Sequence, residues 1–171
     1  MNAQQLRERQ APLKARYKED PSSAVHTLRA KVRVSQGEIT CALEGGKPGK
    51  PAGLHPATGG DGTAACSGDM LLEALVSCAG VTLASVATAM GIALGDATVS
   101  AEGDLDFRGT LGVAKDVPVG FTQIRVTFGI GSDAPADSLK KLVELTERYC
   151  VVFQTIARPP VVRFEIAPRA G

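Results

Sequence analysis

The chain lacks any charge excess that would draw it to a polyanion: nineteen Lys and Arg stand against eighteen Asp and Glu, a formal +1. With no net field, neither a nucleic acid nor an anionic membrane surface is an expected partner. Imidazoles are scarce, with only His26 and His55, and the four cysteines (Cys41, Cys66, Cys78, Cys150) contain no CxxC pair. Cys41, His55, Cys66 and Cys78 therefore have no recognised zinc spacing, and no metal is expected. The N-terminal stretch MNAQQLRERQAPLKARYKED has no apolar core of the kind that drives secretion, which points to a cytoplasmic protein. In that reducing setting four scattered thiols do not form a structural framework. No internal repeat appears, and GGDG at residues 59–62 lacks the lysine and hydroxyl of a phosphate-binding loop.

What is present fits one domain, since 171 residues bury enough apolar surface to fold without staples. Residues 3–18 have helix-forming composition, with Leu6, Leu13 and Tyr17 on one face and Pro12 interrupting, so residues 1–25 form a candidate helical arm ahead of a domain spanning 26–171. From His26 the apolar period becomes two. Leu28, Ala30, Val32 and Val34, then Ile39, Cys41 and Leu43, form a hairpin across SQGE. Residues 44–69 are rich in Gly and Pro and read as a long surface loop.

Leu72, Leu75, Ala79, Leu83, Val86 and Met90 then recur at helical spacing, closed by Gly91. Residues 74–90 carry no charge, but small residues fill about half of them, so a buried helix is expected and not a membrane span. Val99, Ala101, Leu105 and Phe107, then Ile124, Val126, Phe128 and Ile130, mark two half-buried strands. A second helix is expected over 135–157, capped by Asp133 or Asp137 and stopped by Arg158-Pro159-Pro160. A last strand carries Val162, Phe164 and Ile166. Two strands, helix, two strands, helix and strand imply α+β, with a largely antiparallel sheet covering two apolar helices. The first helix is apolar nearly all round, and a dimer sharing it would cover the surplus face.

Cys78 lies in the first apolar helix and Cys150 in the second, each on or beside the inward stripe. Two readings stand: both are small core residues, or the packed helices bring two thiols face to face. Cys41, in the inward register of its strand, reads as core. Cys66 lies in the Gly-rich loop and His55 at its rim.

The segments SGDMLLEALVSCAGVTLASVATAMGI and LKKLVELTERYCVVFQTI resemble the two cysteine helices of the OsmC/Ohr peroxide-reductase superfamily, the first matching its PxELLLAALxxC pattern. The resemblance implies an OsmC-like fold, a sheet wrapped around two central helices in an intertwined homodimer. It implies a cysteine-based peroxidase that needs no haem, flavin or metal, with Cys78 as the peroxidatic thiol and Cys150 as the resolving thiol. Organic hydroperoxides or hydrogen peroxide would be the substrate and an external dithiol the reductant. Three departures are visible. Asp69 replaces the usual Glu nine residues before the first cysteine, Ser67-Gly68 precedes it where a Pro is usual, and Val151 follows Cys150 where Pro is common, so the second helix is expected to run on unbroken. An activating Arg is also implied; Arg16, Arg29, Arg33 and Arg148 compete for it, with Arg33 favoured. The alternative is a non-catalytic dimeric module of the same fold that holds an apolar small molecule.

Overall fold

The computed structural model describes residues 32–35, 40–43, 51–111 and 115–167, together with a few single positions before residue 20; the side chains of 32–43 and of Arg108 are not described. Most of the expected arm and the start of the domain at His26 thus lie outside the described residues.

Strands β1 (Val32–Ser35) and β2 (Thr40–Leu43) pair antiparallel, with Val34 opposite Cys41. The Gly and Pro rich stretch is more ordered than its composition implies. It contributes two short strands, β3 (Ala52–Gly53) and β4 (Ala65–Cys66), to a four-stranded sheet of order β1-β2-β3-β4, in which β3 and β4 run parallel. Between them a single 3₁₀ turn over Pro56–Thr58 is capped by His55, whose Nδ1 accepts the Ala57 N–H at 3.0 Å. The His55 ring stacks on Phe107 at 4.8 Å, which ties this loop to the body of the fold.

Helix α1 (Ser67–Met90) follows directly. Leu75, Ala79, Leu83 and Ala87 recur every four residues and are all buried, one stripe of a helix whose other faces are also apolar. Gly91 ends it in the left-handed region at φ 72°, and the Ile92 N–H returns to the Ala87 carbonyl at 2.9 Å. By length and composition α1 is apolar enough to cross a membrane. It packs instead against strand β5 (Ala97–Leu105) and the two later helices.

Strand β5 pairs antiparallel with β6 (Phe121–Ile130), placing Val99 opposite Phe128 and Ala101 opposite Val126. Alternate residues of both strands face the helices. Gly103 is required in β5, because a Cβ there would lie 2.6 Å from the Phe121 ring that fills its place. β5 ends at Leu105, and Phe107, expected to close the strand, opens a one-turn helix α2 (Phe107–Thr110).

The second long helix departs from expectation in two ways. Its N-cap is Pro135, without a side-chain cap, and Asp137 sits inside the first turn. More consequentially, it is two helices: α3 (Ala136–Tyr149) and α4 (Val151–Ala157), with Cys150 between them in an extended conformation at φ −72° and ψ 107°. Leu142 is fully buried against Leu83 and Ala87, and Cys150 against Leu75 and Ala79. Each such leucine contributes about 1.5–3 kcal/mol of burial.

The last strand is also corrected. Residues 161–167 carry the alternating pattern but pair with no strand among the described residues, leaving Phe164 97% and Ile166 99% exposed. A strand exists only where its backbone pairs with an edge, and this segment meets none among the described residues.

Candidate active site

Cys150 is positioned from both sides. Its N–H donates to the Thr146 carbonyl at 2.9 Å, as in a continuing helix, and its carbonyl accepts the Gln154 N–H at 2.9 Å, as the N-cap of α4. Thr146 is fully buried and returns its own hydroxyl to the Leu142 carbonyl at 2.8 Å. In an unbroken helix the Glu147 carbonyl would accept the Val151 N–H. Here Gln154 Nε2 donates to that carbonyl at 3.0 Å, which leaves the Val151 amide free for another acceptor.

The freed amides meet sulfur. The Val151 and Val152 amides bear on the ionisation of Cys78, and those of Val152 and Phe153 on that of Cys150. Cys78 is half-buried, next to the core residue Ala79 and one α1 turn after Leu75, while Cys150 is 1% exposed. Both thiols are free, they pack together, and each acts on the ionisation of the other. The two residues that the sequence places far apart are therefore neighbours.

Their electrostatics differ in sign. Burial pushes the Cys78 thiol up, but the Val152 amide, the Cys150 thiol, the Val151 amide and the Thr82 hydroxyl outweigh it and hold Cys78 below the ordinary thiol range. Burial also raises Cys150, and there the Phe153 and Val152 amides do not compensate. The hydrogen bond and charge of Cys78 push the Cys150 thiol further up. Of the pair, Cys78 is the one that ionises first, with Cys150 as its S–H donor.

Of the other expected site residues, Asp69 and Arg148 are not gathered here. Asp69 is exposed in the first turn of α1; it is not the N-cap, a position taken by Cys66. Nine residues along an α-helix is about 14 Å and half a revolution, so Asp69 sits on the face of α1 opposite Cys78. Arg33 lies on β1 opposite Ala42, its side chain outside the described residues, as are Arg16 and Arg29. Arg148 is exposed and lies over the Tyr149 ring at 5.5 Å. Cys66, half-buried beside Gly68, begins α1 twelve residues before Cys78, about 18 Å along the axis. Among the described residues no cluster of His, Cys, Asp and Glu has metal-binding geometry. An apolar cavity of about 290 Å³ opens beside Cys150, walled by Leu75, Ile124, Val126, Phe128 and Phe153 and touched by Glu147; Cys78 is not among its walls.

Three participants escaped the sequence reading: the α4 amides, Gln154 and Thr82. Only Thr82 left a signal, standing four residues after Cys78 on the same face of α1.

The fold and the thiol pair define a class of α+β protein built around two cysteine-bearing helices. The profile of the OsmC-like protein family matches residues 60–165, and the chain belongs to that family. Among solved structures, it is similar to an OsmC-like protein from Mycoplasma pneumoniae (TM-score 0.64, 14% identity, covering 78% of this chain and 89% of that one). It is similar also to the organic hydroperoxide resistance protein OsmC of Legionella pneumophila (TM-score 0.62, 16% identity, 78% and 93% covered). A third likeness is to an organic hydroperoxide resistance protein of Elizabethkingia anophelis (TM-score 0.60, 14% identity, 78% and 91% covered). At such identities the likeness is one of fold. No curated protein matches the chain.

Proposed function

We propose that this chain is a cysteine-based peroxidase that reduces organic hydroperoxides or hydrogen peroxide. The observation that carries the reading is the pair of free thiols packed together, with Cys78 held below and Cys150 above the ordinary range. The Cys78 thiolate attacks one peroxide oxygen and breaks the O–O bond; the alkoxide or hydroxide takes up a proton and leaves as alcohol or water, and Cys78 becomes a sulfenic acid. The Cys150 sulfur then attacks the Cys78 sulfur, expelling water and forming a disulfide. An external dithiol reduces that bond by exchange and is itself oxidised. The names of the Legionella and Elizabethkingia relatives agree with a peroxide substrate, and a reducing cytoplasm agrees with free thiols.

The partner proposed for this chain is a second copy of itself. Support comes from α1, which leaves Val81 73% exposed, and from the unpaired apolar segment 161–166. A second copy would also give Arg33 and Asp69, the residues the family resemblance implicates, a route to a thiol pair that Asp69 does not reach along its own helix.

One observation favours the alternative, a binding module without turnover: the apolar cavity touches Cys150 and not Cys78. Peroxide consumption with a small dithiol as reductant separates the two. Turnover that disappears in Cys78→Ser is expected; no consumption above the protein-free rate would leave the binding module.

A further inference from the structure

The Thr82 hydroxyl is spoken for in the resting helix, since its Oγ1 donates to the backbone carbonyl of Cys78 at 2.8 Å. A threonine that bonds back to the carbonyl four residues earlier is common and by itself implies nothing. Here the residue four positions earlier is the cysteine, on the same face of the helix, and the hydroxyl held at its carbonyl also acts on its sulfur, favouring the thiolate. The rest of what bears on that sulfur is the thiol of Cys150 and two backbone amides of α4, which no side-chain substitution removes.

We propose that Thr82 is a positioning residue for Cys78, its hydroxyl moving between two hydrogen bonds as the sulfur changes charge. While Cys78 is a thiol, Thr82 O–H points to the Cys78 carbonyl and its lone pairs receive the S–H. When Cys78 ionises, a rotation about the Thr82 Cβ–Oγ1 bond turns the proton to the thiolate, and the helical carbonyl keeps its bond to the Thr82 N–H. No proton is transferred between the two residues; the hydroxyl only changes its acceptor. The bond to a charged sulfur is stronger than the one given up, which favours the ionised form. The inference rests on the reading of Cys78 as the reactive thiol, and its test is a property of the sulfur that does not need a peroxide.

The pH dependence of Cys78 alkylation by iodoacetamide is measured in the full-length protein for wild type, Thr82→Val and Thr82→Ser, each in a Cys41→Ser, Cys66→Ser background. Val keeps the shape and removes the hydroxyl; Ser keeps the hydroxyl. The midpoint is expected to rise by about one pH unit in Thr82→Val and to return to wild type in Thr82→Ser. Below the midpoint, a tenfold loss of thiolate, partly offset by greater nucleophilicity, slows alkylation roughly threefold. A Thr82→Val profile that overlays wild type overturns the inference, as does a rise that Ser fails to reverse. Should Thr82→Val not fold, the Thr82→Ala and Thr82→Ser pair is read in the same way. Peroxide turnover with an unmoved Thr82→Val profile rejects the Thr82 role and leaves the peroxidase; a moved profile without turnover does the reverse.

Discussion

Cys78, in the middle of α1, and Cys150, at the break between α3 and α4, pack together as free thiols, each acting on the ionisation of the other. The contact depends on the break. It turns the first amides of α4 toward the two sulfurs and gives Cys78 neutral donors that offset its burial.

The first expectation is that Cys78 titrates below the ordinary thiol value of about 8.5. Removing the S–H donor with Cys150→Ala moves the midpoint of Cys78 alkylation upward, by about one pH unit for one lost hydrogen bond to a charged sulfur. The rate of alkylation against pH reads this directly. An unchanged midpoint would mean that the thiol contact does not influence ionisation.

Linkage gives the same site a stability signature. The Cys78 pKa is depressed by folding, so its ionisation stabilises the native state above the unfolded value and that gain is lost as pH falls through the folded value. Wild type therefore gains on Cys78→Ser as pH rises from neutral toward about 8.5. Above that, Cys150, raised by folding, pulls the other way. Thermal melts of both proteins under reducing conditions, at closely spaced pH, check the sign.

Gln154 is expected to matter for both structure and reactivity. In Gln154→Ala the Glu147 carbonyl loses its side-chain donor and recovers the Val151 N–H by closing the helix, which withdraws that amide from Cys78. A loss of about 1 kcal/mol and an upward shift of the Cys78 midpoint are predicted. A melt combined with the alkylation profile separates a mere loss of stability, which leaves the midpoint in place.

In the core, Leu142→Ala opens a cavity against Leu83 and Ala87. The residue is fully buried, so a cost of about 3 kcal/mol is expected in urea unfolding.

The self-association proposed for α1 predicts that Val81→Asp, a charge on an exposed apolar face, shifts the protein from dimer to monomer in light scattering.

Much of this was legible in the sequence because helical periodicity reports which side faces inward, and both cysteines lie on or beside inward stripes. The break at Cys150 was not. Cys-Val-Val-Phe holds no Pro or Gly, and what stabilises the break is a side chain four residues later occupying a carbonyl three residues before. The pattern over Val162, Phe164 and Ile166 alternates as a strand does, yet alternation supplies no pairing edge and the segment is not a strand. Strands β3 and β4 stayed hidden because two residues of backbone pairing leave no period to read. For Asp69, resemblance pointed to the thiol, whereas nine residues of helix turn it to the far side.

The central claim, that Cys78 and Cys150 form one redox centre, is tested by adding one equivalent of hydroperoxide to the reduced protein and mapping its peptides by mass. A loss of two hydrogens in a Cys78 to Cys150 crosslink is predicted, with sulfenic acid accumulating at Cys78 in Cys150→Ser. Two unmodified thiols after that treatment would contradict the account.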